Sequence, residues 1–256
     1  MDDQTIINDT TIMVSRLLKV ISLLLDYPTE SLMAGSAELA QAITESRCIS
    51  PEQRSALLAM LAHITENELM DVQEAYSALF NRGRMLSLLM FEHVHGESRD
   101  RGQAMVDLMA QYETAGFAIA VKELPDYIPL YLEYLSTCDE TTARVGLADI
   151  DHLLAILAAR LDERESHYAA CFHALLQLAG HVPQEAIAAV REQVSAEQHD
   201  DSLAALDKVW EEEAVDFMQA EQQNRCASDT ANKPQAGQSQ NSAVPLHWVD
   251  FEQELK

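Results

Sequence analysis

Residues 91–105, Phe91-Glu92-His93-Val94-His95-Gly96-Glu97-Ser98-Arg99-Asp100-Arg101-Gly102-Gln103-Ala104-Met105, hold the side chains of this sequence best suited to chemistry. His93 and His95, with Glu92 and Glu97 beside them, place two imidazoles and two carboxylates within six residues, a set able to ligate a transition metal. Histidines at i and i+2 converge on a strand, but on a helix they diverge by about 200°. The flanking pattern is helical, so a metal-dependent enzyme built on His93 and His95 is the weaker alternative, and the same objection removes a likeness to the HxH of cupin barrels.

Three further readings of the segment stay open. Gly96 can end one helix and Ser98 cap the next, so that Arg99 and Arg101 add charge to free amides at a helix amino terminus. With Arg82 and Arg84, they bring four of the chain's 17 basic residues into residues 82–101 and form a candidate phosphate or pyrophosphate site. Alternatively, the alternating charges form an internal lattice of ion pairs that fixes a helix–turn–helix corner. In the last reading the segment recognises a peptide: Glu92 and Glu97 pair with its arginines, while a Met/Leu surface over residues 85–90 takes its apolar side chains.

A second signal lies in Lys122-Glu123-Leu124-Pro125-Asp126-Tyr127-Ile128-Pro129-Leu130-Tyr131-Leu132-Glu133-Tyr134-Leu135. Pro125 ends an extended approach, and Asp126 can cap a helix that tolerates Pro129 in its first turn. Three tyrosines on so short a helix suit half-buried packing with hydroxyls at the rim, a surface that also suits peptide docking. Together the segments define a candidate peptide-binding groove of Met85, Leu88, Leu89, Glu92, His93, His95, Glu97, Glu123, Pro125, Asp126, Tyr127 and Tyr131. Glu92, Glu97, Glu123 and Asp126 are its charge partners, and no residue is assigned a catalytic role.

The elements that must position these residues are helices. From about residue 10 to 218 apolar residues recur at helical spacing, as in Leu57, Leu58, Leu61, Ile64; Met105, Leu108, Met109, Tyr112; and Ile150, Leu153, Leu154, Leu157, Leu161. Ser50-Pro51-Glu52-Gln53 combines an N-cap, a first-turn proline and a capping-box glutamine, and Asp200-Asp201-Ser202 precedes a helix running to about Phe217. Tyr168, Cys171, Phe172, Leu175, Leu176 and Ala179 form a buried stripe. The expected fold is all-α, a single helical-bundle-like domain of roughly nine to eleven helices over residues 1–218. Residues 219–256 read as a low-complexity, largely disordered tail, rich in Gln, Asn and Ser, closing on the apolar Leu246, Trp248, Val249 and Phe251.

Bulk composition narrows the function classes. The 256 residues include 42 acidic and 17 basic side chains, a formal charge of -25 that repels a phosphate backbone and favours a basic partner over nucleic acid. Met1-Asp2-Asp3 is acidic, and the apolar stretch from Leu17 to Leu25 is short and interrupted by Lys19 and Ser22. Neither a signal peptide nor an integral membrane segment fits, and the cytoplasm is the expected location. Cys48, Cys138, Cys171 and Cys226 are scattered without a CxxC pair, which argues against zinc ribbons, thioredoxin chemistry and iron–sulfur ligation.

Tyr76-Ser77-Ala78-Leu79-Phe80-Asn81-Arg82-Gly83-Arg84, continued by Ser87-Leu88-Leu89, residues 91–105, Tyr112-Glu113 and later Trp210-Glu211-Glu212-Glu213, resembles the nitrate reductase molybdenum cofactor assembly chaperones, the delta subunits. The resemblance runs from about Ile12 to Met218. Glu123-Leu124-Pro125-Asp126 is also similar to the Glu-x-Pro-Asp-His signature of the wider redox-enzyme maturation chaperones. These include the chaperones of trimethylamine oxide and dimethyl sulfoxide reductases. Tyr127 stands at the signature histidine, so roles that need an imidazole there do not carry over. The resemblance implies an all-helical, cytoplasmic, non-catalytic protein. It would bind the apo catalytic (alpha) subunit of a respiratory nitrate reductase, or its alpha–beta complex, at an amino-terminal segment left from a twin-arginine leader. It also implies help in inserting molybdopterin guanine dinucleotide, as transient cargo and not a permanent cofactor, contact with cofactor-biosynthesis proteins, and release before membrane docking.

Overall fold

In the computed structural model, which describes residues 3–94, 100–119 and 123–197 with side chains from Thr10 onward, the helical periodicity resolves into twelve helices. They are α1 (Asp3–Leu25), α2 (Glu30–Ala34), α3 (Ser36–Glu45), α4 (Pro51–Thr65), α5 (Leu69–Phe80), α6 (Met90–Val94), α7 (Asp100–Thr114), α8 (Ile128–Thr137), α9 (Glu140–Asp149), α10 (Asp151–Glu163), α11 (Ala169–Leu178) and α12 (Pro183–Ser195). The excess over the expected number comes from short elements: α2 and α6 have five residues each, too few for a 3.6-residue period to register. The chain divides into two units, Met1–Val209 and Trp210–Lys256, and every described residue belongs to the first. The expected helix after Asp200 and the expected tail lie outside the described residues.

The centre is α10 and α11. Every residue from Leu153 to Leu161 is buried, so α10 is enclosed on all sides by its neighbours α11 and α12. Cys171, Phe172, Leu175 and Leu176 of α11 are fully buried, and burial pushes the Cys171 thiol well above its ordinary range, leaving it an inert apolar group. The other major pairing is α1 against α8. Val14, Leu17, Leu18, Ile21, Leu24 and Leu25 form one buried stripe on α1, each large aliphatic side chain contributing about 1.5–3 kcal/mol. The polar residues that interrupt this stripe face α8 as well: Lys19 pairs with Glu133, Ser15 donates to the Ser136 carbonyl, and Ser22 Oγ donates to the Pro129 carbonyl at 2.7 Å. No described helix is long and apolar enough to cross a membrane.

Local punctuation follows the sequence with instructive departures. Ser50 caps α4 by accepting the Gln53 amide at 3.2 Å, but the Gln53 side chain does not close a capping box. It donates instead to the Ala170 carbonyl on α11 at 2.8 Å, while the Ser50 amide donates to Gln177 Oε1 at 2.6 Å. Tertiary partners have replaced the local one. Gly146 of α9 lies against α8, where a Cβ would come within 2.7 Å of Leu135 Cδ2 and 2.8 Å of Tyr131 Oη. Neither neighbour can yield, since both are buried and Tyr131 donates to the Gly146 carbonyl at 3.1 Å. Gly146→Ala is therefore expected to lower the unfolding free energy by about 1–3 kcal/mol, although alanine has the better helix propensity, and urea denaturation reads the sign directly.

Candidate functional site

The two chemically dense segments meet through main chain. Leu89 and Tyr127 form an isolated antiparallel bridge, with the Met90 amide donating to the Asp126 carbonyl at 2.9 Å and the Ile128 amide to the Leu88 carbonyl at 2.8 Å. Side chains reinforce the join. Asp126 is fully buried and accepts the Phe91 amide through Oδ2 at 3.1 Å, so it caps the start of α6. This corrects the expectation that it caps α8, whose N-cap is Tyr127 with no side-chain bond. Arg101 Nη2 lies 3.5 Å from Glu92 and 4.0 Å from Asp126, binding α7 to the same corner. The charge lattice read as one alternative from sequence is thus formed by Glu92, Arg101 and Asp126. It is loosely made, since Arg101 Nε and Asp126 Oδ1 are buried without hydrogen-bond partners.

Burial holds the Asp126 carboxyl above its ordinary value, with the Phe91 amide and Arg101 drawing it only partway back. The folded state therefore binds this proton more tightly than the unfolded chain does. Relative to Asp126→Asn, the protein is expected to lose stability as pH rises from the ordinary carboxylate range through the raised value, and to show no further change below that range. Paired urea titrations between about pH 4 and 7 test this; a difference that grows on acidification in the variant's favour would contradict it.

The loop from Asn81 to Leu89 is fastened from beneath. Arg160 of α10, almost wholly buried, forks onto Glu197 through Nε at 2.8 Å and Nη2 at 2.7 Å, and its Nη1 donates to the Met85 carbonyl at 2.6 Å. His93 Nε2 donates to the Ser87 carbonyl at 2.8 Å, and burial lowers the proton affinity of its imidazole, with the nearby Arg160 charge adding to the effect. Neither residue was tied to this loop by any local sequence pattern.

These contacts sort the residues singled out from sequence. Pro125, Asp126 and Tyr131 are buried, and Tyr131 spends its hydroxyl on Gly146, so their side chains support the surface and do not line it, whereas Leu88, also buried, borders the cavity described below. The expected Met/Leu face over residues 85–90 is largely internal for the same reason: Leu86, Leu88 and Met90 belong to the core, while Met85 and Leu89 are half-buried. Glu123 is exposed, and its carboxyl is pushed up by local desolvation and by the carboxylates of Asp26 and Glu133. Arg82 and Arg84 are exposed on the turn after α5, whereas Arg101 lies beside Glu92 and Asp126. His95, Glu97, Ser98 and Arg99 lie outside the described residues.

An open cavity of about 300 Å³ sits where α5, the 81–89 loop and Tyr127 converge, lined by Tyr27, Tyr76, Phe80, Asn81, Ser87, Leu88, Leu89 and Tyr127. Its walls are aromatic: Tyr27 meets Tyr76 edge-on at 5.6 Å, Tyr76 lies 4.8 Å from Phe80, and Phe80 packs against Tyr168 at 4.9 Å. The Tyr76 hydroxyl donates to the Leu25 carbonyl at 2.9 Å and the Tyr127 hydroxyl to Asp26 Oδ1 at 3.0 Å. Asp26, Tyr27, Tyr76, Phe80 and Asn81 were not among the candidate groove residues, although Tyr76, Phe80 and Asn81 lie in the segment that carries the family resemblance. The available signal was Asp26-Tyr27-Pro28, where the apolar run of α1 breaks on an acid, an aromatic and a proline.

Comparison with known proteins places this arrangement in a family context. The family model described as "Nitrate reductase delta subunit" matches residues 46–174, a span that contains both joined segments. The chain is 49% identical over 201 residues to the "Nitrate reductase molybdenum cofactor assembly chaperone NarJ" of Escherichia coli (strain K12), covering 78% of this chain and 84% of that protein. NarW of the same strain is 44% identical over 240 residues, covering 92% of this chain and 97% of its own.

Proposed function

The chain belongs to the nitrate reductase delta subunit family, and on that footing we propose that it is a system-specific chaperone that binds the apo catalytic subunit of a nitrate reductase and holds it while the molybdenum cofactor is inserted. The contact is with the leader-like amino-terminal segment of that subunit, in the cytoplasm, before the finished complex docks at a membrane. Binding, with no bond made or broken, is the whole of the activity. The observation that carries the reading is the junction of the two family segments: they are stitched together at Leu89 and Tyr127 beside an open aromatic cavity, in a chain of formal charge -25. A basic, amphipathic segment is complementary to such a surface in charge and in apolar contact.

Molybdopterin guanine dinucleotide is then cargo passing to the client. Direct delivery by this chain would need a cluster of cations, and Arg101 is already held by two carboxylates. We also assign the activity to residues 1–218, with 219–256 as an appendage. Isothermal calorimetry with a peptide of the catalytic subunit's amino-terminal segment tests the central claim. Saturable one-to-one binding is expected, retained by a chain ending at residue 218. Joint Glu92→Ala and Glu97→Ala substitution should weaken it about tenfold if those carboxylates pair with the peptide. Unchanged affinity removes both from the contact, and absence of binding by the intact chain overturns the proposal.

A further inference from the structure

Hydrogen bonds at the aromatic cavity do not balance. Tyr76 Oη and Tyr127 Oη lie 3.2 Å apart, a contact that requires one of them to donate. Each phenol owns one hydrogen, and both are committed elsewhere, since the Leu25 carbonyl and the Asp26 carboxylate can only accept. Two hydrogens serve three links. The phenols cannot resolve the shortage by ionising, because burial and the neighbouring carboxylate hold both in the protonated form. Asp26 Oδ1 is already matched, accepting the Tyr27 amide at 2.8 Å as well as the Tyr127 hydroxyl, so the shortage lies with the two phenol oxygens. The result is a knot of oxygen lone pairs beside a cavity, with too few protons among them.

What such a knot lacks is a donor, and the surroundings specify its charge. The aromatic rings present faces of negative potential to a bound cation. Tyr27 leaves 43% of its surface exposed and is the ring an incoming group meets first. Desolvation and the nearby Asp26 carboxylate push the Glu123 carboxyl up, so negative charge is held together at this margin. The described residues lining the cavity include no basic side chain. An apolar occupant would leave the oxygens unmatched. An ammonium would satisfy the charge, but a planar guanidinium can also lie on a tyrosine ring while its fork of N–H groups reaches several acceptors.

We infer that the cavity lined by Tyr27, Tyr76, Phe80 and Tyr127, with the Asp26 carboxylate that accepts the Tyr127 hydroxyl, is a subsite for one arginine side chain of a bound polypeptide, the guanidinium donating to the two phenol oxygens and pairing with Asp26 while it stacks on the exposed ring of Tyr27. That the polypeptide is the client segment rests on the function proposed above; the arginine specificity does not. The subsite shifts recognition of client charge from the Glu92 corner, where the carboxylate already faces Arg101, to the cavity that Leu89 and Tyr127 line.

The test uses the full chain with carbon-13-labelled tyrosine, titrated with N-acetyl-arginine methylamide and, separately, with its uncharged citrulline counterpart. Ring signals of Tyr27, Tyr76 and Tyr127 are expected to shift with the arginine compound and not with citrulline. Asp26→Asn, which keeps an acceptor but removes the charge, should weaken the response about tenfold, and Tyr27→Leu about threefold to tenfold. Equal responses to the two compounds, no selective shift up to about 100 mM, or a response unchanged in both variants would each overturn the inference. Should Asp26→Asn disturb the fold, Tyr27→Leu at an exposed position decides alone. Calorimetry with the client peptide separates the two claims: unaltered affinity in both variants rejects the subsite and leaves the chaperone reading intact. Failure of the wild-type chain to bind the peptide rejects that reading, while the arginine titration still reports on the subsite.

Discussion

Arg160→Ala is expected to lower the unfolding free energy by about 3 kcal/mol, a large fraction of what a domain of this kind possesses. The guanidinium makes three hydrogen bonds in a nearly dry site, two to Glu197 and one to the Met85 carbonyl. Removing it strands a carboxylate that is only 23% exposed and takes a donor from the Met85 carbonyl. The cost is mostly that of the unpaired groups, so Arg160→Lys, which retains the charge but cannot reproduce the fork, should recover no more than about half of it. Loss of loop anchorage should be visible separately from loss of stability. Below the melting range, amides of residues 84–89 are expected to exchange faster, and affinity for the client segment to fall. An unchanged exchange pattern in a folded Arg160→Ala protein would show that the loop is held without it.

A comparable loss, about 3–5 kcal/mol, is expected for Tyr112→Ala, but confined in space. Tyr112 is essentially fully buried, packs against Tyr134 at 4.7 Å and Phe117 at 5.5 Å, and donates its hydroxyl to the Pro125 carbonyl at 2.7 Å. Among the fifteen residues of α7 it shares burial only with Leu108, whereas Val106 and Met109 stand exposed. So few anchors mean that α7 can open without the rest of the fold. Hydrogen exchange in Tyr112→Ala should therefore lose protection across residues 100–114 while Leu153–Leu161 in α10 remain protected. Tyr112→Phe, which leaves the Pro125 carbonyl without its phenol donor but keeps the ring, should cost about 1–2 kcal/mol. Uniform loss of protection across α7 and α10 would mean that α7 is integral to the cooperative core.

Much of the fold was readable because its helices are long enough to repeat. The stripe in α10, the stripe in α11 and the Ser50-Pro51 start of α4 are local patterns, and local patterns survive folding. What was not readable depends on partners far away in sequence. Gln53 has a capping-box address but bonds to Ala170, and Asp126 sits where a cap for α8 belongs but caps α6, thirty-five residues back. The candidate site shows the same division. The structure brings together the two segments marked by unusual composition, but whether a given side chain faces the cavity or the core is fixed by the Leu89–Tyr127 crossing, which no periodicity announces. Hence Tyr131 belongs to the interior, Leu88 is buried yet borders the cavity, and Tyr27, two residues past the end of α1, forms a cavity wall.

The pairing of α1 with α8 also sets a timetable for biosynthesis. Ser22 and its acceptor Pro129 are 107 residues apart, and Lys19 and Glu133 are 114 apart. At about 5–20 residues per second, α1 leaves the ribosome on the order of 5–20 seconds before α8 exists to cover it. Throughout that interval the stripe from Val14 to Leu25 lacks its main partner and has only α3 among its major neighbours available, and an amphipathic helix in this condition is itself a target for holding factors. A member of a family of assembly chaperones thus passes through a stage of its own synthesis in which its main helix pairing is still open. Slowing translation between residues 25 and 128 is expected to raise aggregation of the nascent chain, and exchanging Leu17 and Leu18 for alanine to relieve that while weakening the finished fold.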